Sequence, residues 1–216
     1  MKKRIALEEA ISKVQDGMTL MIGGFLGCGT PENIITALVE KNVQDLTIIC
    51  NDTSFVDKGI GRLVANKQVK KVITSHIGTN KETGRQMNEG ELEVVLVPQG
   101  TLAEQVRAGG AGLGGVLTPI GLGTPVEDGK EKIEVNGQTF LLETAIKADV
   151  ALIHGSIVDE KGNTYYNQAT RNFNPLMATA AETVIVEAEK IVKVGEIEPH
   201  LIMTPGLFVN YVVGEE

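Results

Sequence analysis

A chain of 216 residues is long enough for one large α/β domain, and 42% hydrophobic residues with only 4% aromatics and no Trp is an ordinary composition for a soluble globular protein. A formal net charge of −8 gives no electrostatic reason to approach nucleic acid or anionic lipid, since both reward clustered Lys and Arg. No apolar run approaches the ~20 residues that span a bilayer, and Cys28 and Cys50 make neither a metal spacing nor a disulfide framework.

Met1-Lys2-Lys3-Arg4 imitates the basic start of an export signal, but Glu8, Glu9 and Lys13 interrupt the apolar run that would have to follow, so a cytoplasmic protein is expected. Leu7, Ala10, Ile11 and Val14 have helical spacing over 7–14, with Gly17 placed to end the helix. Residues 19–22 are a short β-leaning run. A helix is expected from Pro31 to about Lys41, with Thr30 as N-cap, Pro31 at N1 and Glu32 at the positive end of the dipole. Strands follow at 46–50, 71–75 and 93–97, separated by a short helix around Ile60, Leu63 and Val64 and a polar helix over 80–88 entered through Asn80. Thr101 and Glu104 have capping-box spacing and are expected to start the next helix.

The glycine-rich run 109–129 predicts neither helix nor strand, and its sparse charge argues for an ordered site loop. Residues 133–135 and 139–142 flank Asn136-Gly137 as a type I′ hairpin, a small excursion over about 130–143. Further core strands are expected at 149–153 and 183–187, with a turn at 159–163 and a helix start at Asn174-Pro175. Alternating strands and helices imply an open, mostly parallel sheet with helices on both faces, in a single domain over 1–216.

Between the first strand and the second helix lies Gly23-Gly24-Phe25-Leu26-Gly27-Cys28-Gly29-Thr30-Pro31. The spacing is not the dinucleotide fingerprint, and no Gly-Lys-Ser/Thr makes it a P-loop. With Asp16, Gly17 and the apolar Leu20, Met21 and Ile22 before it, the stretch resembles the signature of the family I coenzyme A transferases: Asp/Asn-Gly/Asn, two free positions, three apolar residues, Gly-Gly-Phe, three free positions, Gly-x-Pro. Residues 98–104, 107–112 and Arg171-Asn172-Phe173-Asn174 resemble further stretches of that family in the same order, so the likeness covers the chain from about Leu7 to Val213. Within the family it is strongest to the A (alpha) subunits of bacterial enzymes acting on acetate, butyrate and acetoacetate.

In open α/β sheets, ligands bind outside the carboxyl ends of the strands. Gly23-Gly24, Asn51-Asp52, Ser75-His76 and Gln99-Gly100 follow the first four expected strands and should rim one crevice. The amides of Asn51 and Gln99 can donate to a carboxylate or thioester oxygen without adding charge. The resemblance implies that Gln99 and Asn51 face the acyl or acid substrate and that Gly23, Gly24, Phe25, Gly27, Cys28 and Gly29, with Gly100 nearby, lie close to the thioester and pantetheine end of CoA. It further implies CoA exchange between two carboxylic acids through a glutamyl–CoA thioester, without metal or other cofactor. The family's nucleophile lies in a Ser-Glu-Asn-Gly motif that this sequence lacks. The chain is therefore expected to be half an enzyme, completed by a B (beta) subunit in an A2B2 or larger assembly.

Three rival readings stay open on the sequence. Cys28 could be a nucleophile, its thiolate stabilised by the helix after it. The chain could be a self-sufficient enzyme of the phosphosugar isomerase type, or a non-catalytic CoA-binding subunit. His76 and His154 read as rim or packing residues, Arg171 as an anion partner or a loop anchor, and Glu182 and Glu187 as solvated or structural.

Overall fold

The computed structural model describes residues 3–214; Met1 and Lys2 of the basic start, and the last two residues, lie outside the described residues. The strands are β1 (Thr19–Ile22), β2 (Leu46–Ile49), β3 (Val69–Thr74), β4 (Glu93–Leu96), β5 (Gly115–Thr118), β6 (Lys132–Val135), β7 (Gln138–Thr144), β8 (Ala148–Gly155), β9 (Ile157–Asp159), β10 (Thr164–Tyr165), β11 (Ala181–Ala188), β12 (Ile191–Val192) and β13 (Tyr211–Gly214). The α-helices are α1 (Leu7–Ser12), α2 (Glu32–Lys41), α3 (Ile60–Ala65), α4 (Lys81–Asn88), α5 (Gln99–Gly110) and α6 (Asn174–Met177).

Seven strands form one parallel sheet in the order β13-β11-β8-β1-β2-β3-β4. Side chains alternate across it as the two-residue repeat of a strand requires. Leu20, Ile22, Ile48, Leu152 and Ile185 enter one apolar cluster with α1, α2 and α3. Met21, Ile49, Ile153, Val184 and Val186 enter the opposite cluster with α5 and α6. Both faces are thus covered, which is why the strands read as nearly continuous apolar runs. The chain lays β1 to β4 outward in one direction, then returns with β8 beside β1 and continues the other way. The topological switch therefore falls between β1 and β8, where open α/β sheets bind ligands.

Some local expectations hold in detail. Asn80 caps α4, its side-chain oxygen accepting from the N–H groups of Glu82 and Thr83. Asn136 and Gly137 both have positive φ in the β6–β7 turn, as type I′ demands.

Three local expectations do not hold. Helix α2 starts at Glu32 with Pro31 at its N-cap position and no cap from Thr30; the N–H groups of Asn33 and Ile34 donate instead to the buried carboxylate of Glu187, at 3.1 and 2.7 Å. No capping box forms at Thr101, because Pro98 occupies the N-cap position of α5 and the helix starts earlier, leaving the Thr101 hydroxyl buried without a partner. The glycine-rich run contains β5, which pairs with β7 and joins the hairpin into a three-stranded sheet. That run also begins beside Thr19, Ala148 and Ala181, at the amino ends of β1, β8 and β11, the far end of the sheet from the glycine signature. Its first glycines serve packing: a Cβ on Gly109 would lie 2.0 Å from the Ile146 carbonyl oxygen, and one on Gly110 2.0 Å from the Thr179 hydroxyl.

Candidate active site

The glycine signature leaves the carboxyl end of β1 at the switch point and folds into a tight turn. Phe25 and Cys28 exchange backbone hydrogen bonds of 3.0 and 2.8 Å, with Leu26 and Gly27 at positive φ between them. Two asparagines from the distant stretch 171–174 pin this turn. Asn172 accepts from the Gly24 N–H at 3.1 Å and donates to the Cys28 carbonyl at 3.0 Å. Asn174 donates to the Gly29 carbonyl at 2.9 Å and accepts from the His154 N–H at 3.1 Å.

These contacts explain the glycines. A Cβ on Gly23 would sit 1.8 Å from the Asn174 side-chain oxygen, and one on Gly29 2.5 Å from the Thr170 carbonyl. Gly24 combines a φ of 125° with a Cβ position 2.0 Å from the Thr30 hydroxyl, so a side chain there would meet both backbone strain and a collision.

A second carboxyl-end segment, after β2, is tied to the first by Asp52. Its buried carboxylate accepts from the Leu26 N–H at 3.2 and 3.0 Å and from the Ser54 N–H at 2.7 Å. The following turn carries Phe55 and Val56, each 40% exposed, alongside Phe25 at 48%. The Lys58 side chain lies over Gly27, within 2.5 Å of where a Cβ would be.

The expected rim after β2, β3 and β4 is also joined by hydrogen bonds. The Ser75 hydroxyl meets the Gln99 side-chain oxygen, the Asn51 carbonyl at 2.7 Å and the Asn51 side-chain oxygen at 3.3 Å. Gln99 and Gly100 form the exposed first turn of α5, whereas Asn51 is 3% exposed and lies beneath Ser75. The first N–H groups of a helix have no intrahelical acceptor. At α2 Glu187 takes two of them; at α5 Gly100 has no atom within 4 Å of where a Cβ would be. The start of α2 is thus occupied by a carboxylate, while Gln99 and Gly100 at the start of α5 are exposed.

The sequence-predicted residues Gly23, Gly24, Phe25, Gly27, Cys28, Gly29, Asn51, Gln99 and Gly100 thus follow β1, β2 and β4 at one end of the sheet. Phe25, Cys28, Gln99 and Gly100 form an open ledge, while Gly23, Gly24, Gly29 and Asn51 are buried. A cleft of about 1260 Å³ lies elsewhere, between α2 and the β11–β13 edge, and none of these residues lines it. The ledge, not that cleft, lies at the carboxyl end of the sheet beside the topological switch, where open α/β sheets bind ligands.

Cys28 is exposed in the turn, ahead of the helix end that Glu187 occupies. Cys50 is fully buried and its thiol is pushed up to about 12, chiefly by burial. His154 is buried beside Glu189 at 3.5 Å, and burial lowers its pKa. His76 and Arg171 are exposed. Sequence reasoning missed Ser75, Asp52, Asn172 and Asn174 as organising residues. Their signal was present only as position: the first two follow expected strands, and the others form the stretch already matched to the family.

Comparison with known proteins gives the family. The model of the family described as coenzyme A transferase matches residues 4–215. The chain is 58% identical over 213 residues to the acetoacetyl-CoA:acetate/butyrate CoA transferase alpha subunit of Clostridium acetobutylicum, covering 99% of this chain and 98% of that one. It is 54% identical to the acetate CoA-transferase subunit alpha of Escherichia coli, covering 98% and 96%. The fold superposes on an acyl-CoA transferase of Escherichia coli O157:H7, in a thioester complex with CoA, with a TM-score of 0.86 at 24% identity; the match covers 99% of this chain but only 47% of that one. It also superposes on the glutaconate coenzyme A-transferase of Acidaminococcus fermentans, with a TM-score of 0.85 at 23% identity over 98% of this chain and 75% of that one. The signature turn, its place at the switch of a doubly covered parallel sheet and the length of these matches lead to one assignment: the chain belongs to the coenzyme A transferase family.

Proposed function

We propose that this chain is the alpha subunit of a two-subunit CoA-transferase that exchanges CoA between a short-chain acyl-CoA and a carboxylic acid such as acetate, butyrate or acetoacetate. The names of the relatives at 58% and 54% identity support the substrate class. The observation that carries the half-enzyme reading is the open ledge: Phe25, Cys28, Gln99 and Gly100 are exposed. Mixed anhydrides and thioesters need a site from which water is shut out. A beta subunit carrying the nucleophilic glutamate would close that site, in an A2B2 or larger assembly in the cytoplasm.

The reaction balances without metal or other cofactor, CoA entering as substrate. The partner's glutamate carboxylate attacks the acyl-CoA carbonyl and expels CoA thiolate, leaving an acyl–glutamyl anhydride. The thiolate attacks the glutamyl carbonyl, the first acid departs, and a glutamyl–CoA thioester remains. The second acid reverses both steps. Each tetrahedral centre carries an oxyanion, for which a neutral, fixed amide at Gln99 and the adjacent Gly100 N–H are suited donors. Asn51 accepts from the Ser75 hydroxyl that also meets Gln99. The turn 23–29 brings backbone close to the thioester and the pantetheine end of CoA.

The test is reconstitution. The purified chain alone should give no CoA transfer between acetyl-CoA and butyrate or acetoacetate, and should gain it when mixed with its beta chain. Steady turnover by the lone chain would sink the proposal, and a mixture that forms a complex but stays inactive would favour a non-catalytic binding subunit.

A further inference from the structure

The geometry points to Ser75 as the residue that orients the Gln99 amide, an inference that rests on the reading of Gln99 as an oxyanion donor. Ser75 follows β3 and Gln99 opens α5, so their meeting is a product of the sheet order and not of local sequence. The Ser75 hydroxyl has one proton and three oxygens within reach: the Asn51 carbonyl, the Asn51 side-chain oxygen and the Gln99 side-chain oxygen.

A carbonyl oxygen offers two lone pairs. The Asn51 carbonyl already receives two other donors, the Ser75 N–H at 3.1 Å and the Thr74 hydroxyl at 3.0 Å. The Asn51 side-chain oxygen is the longest contact, at 3.3 Å. The Ser75 proton is therefore best used on Gln99.

Donation to the Gln99 oxygen has a directional consequence. It turns the NH2 end of the amide away from Ser75, toward the open side of the ledge where an oxyanion would need donors. An exposed glutamine otherwise samples many rotamers, and ordering such a side chain costs conformational freedom. Ser75 lowers that cost before substrate arrives and selects which end of the amide faces it. Its part is positioning: the substrate meets Gln99.

A double-mutant cycle in the alpha–beta complex tests this, with kcat and KM measured for each member. Gln99→Ala should lower kcat by roughly 10²–10³-fold. Ser75→Ala should lower kcat about tenfold, the worth of one ordered hydrogen bond, with little change in KM. Ser75→Thr, which keeps the hydroxyl, should restore most of the loss. On the Gln99→Ala background, Ser75→Ala should have almost no further effect.

A full tenfold loss on that background, or wild-type kcat in Ser75→Ala, would overturn the assignment. Wild-type kcat in Gln99→Ala would overturn the donor reading instead. The Gln99 side-chain amide resonances of the glutamine-labelled complex then decide the positioning claim without activity: they should shift and narrow in Ser75→Ala, and an unchanged pair would contradict it.

Discussion

At Gly24, two independent penalties coincide, a positive φ and a hydroxyl 2.0 Å from any added Cβ. Gly24→Val should therefore abolish transfer while the sheet still folds, since the turn is a surface loop held by side chains and not part of the core. Circular dichroism and turnover of the reconstituted variant check this; wild-type kinetics would show that the turn tolerates a side chain. The glycine signature was fully legible in the sequence as a pattern, but its cause was not. What the glycines make room for, the Asn174 side-chain oxygen, the Thr170 carbonyl and Thr30 itself, comes mostly from residues some 140 positions away. The partners of Ser75, Asn51 and Gln99, lie 24 positions away on either side and meet it only through the sheet order. A residue type at a strand end can be read from one sequence; the atom it faces across the sheet cannot.

Among elements, α2 and α4 make the contrast. Asn80 caps α4 from two and three residues away, so its role could be read directly. Helix α2 is capped by Glu187 from β11, and the local candidates Thr30 and Pro31 lose to it because a buried carboxylate answers two N–H groups at once. Burial raises the Glu187 carboxyl above its ordinary value even so. Its cross-strand neighbour His154 is shifted the other way, lowered by burial with the Glu189 charge opposing.

The sign for His154 is definite. The folded protein binds this proton more weakly than the unfolded chain, so the stability that neutral His154 contributes is complete above about pH 6.5 and is lost as pH falls toward the folded value. Urea midpoints measured at pH 7.5 and 5.5 should show a loss on acidification that is smaller in His154→Gln. An equal loss in both proteins would show that His154 plays no part. Separately, Glu187→Ala should cost about 1–3 kcal/mol at neutral pH by leaving the buried Ile34 N–H and the partly buried Asn33 N–H unanswered, read as a lower midpoint with unchanged slope.

At the scale of the whole molecule, the parallel sheet covered on both faces was legible because central strands of such sheets are apolar on both sides and alternate with amphipathic helices. β5 was not, because glycine-rich sequence has little strand preference and Gly115, Val116, Leu117 and Thr118 become a strand only by pairing with β7. The sheet order places the switch between β1 and β8, and the turn after β1, the pinning asparagines after β8 and the rim after β2, β3 and β4 all meet at that end. The result is a platform on which Phe25, Cys28, Gln99 and Gly100 are exposed, without a matching glutamate motif in the sequence. On the proposed reading, the covalent step belongs to the partner, and this chain supplies backbone, amides and shape.

The position of the intermediate tests that claim most directly. The reconstituted complex is incubated with labelled acyl-CoA, treated with hydroxylamine, and its peptides are mapped by mass spectrometry. A glutamyl thioester becomes a protein-bound hydroxamate, whereas an S-acyl cysteine loses its acyl group and returns to a free thiol. The account predicts a hydroxamate on a glutamate of the beta chain, none on this chain, and near-normal trapping and turnover in Cys28→Ala. Acyl label on residues 24–32 before hydroxylamine treatment, or inactivation by Cys28→Ala, would contradict it and make the exposed cysteine of the signature turn the nucleophile.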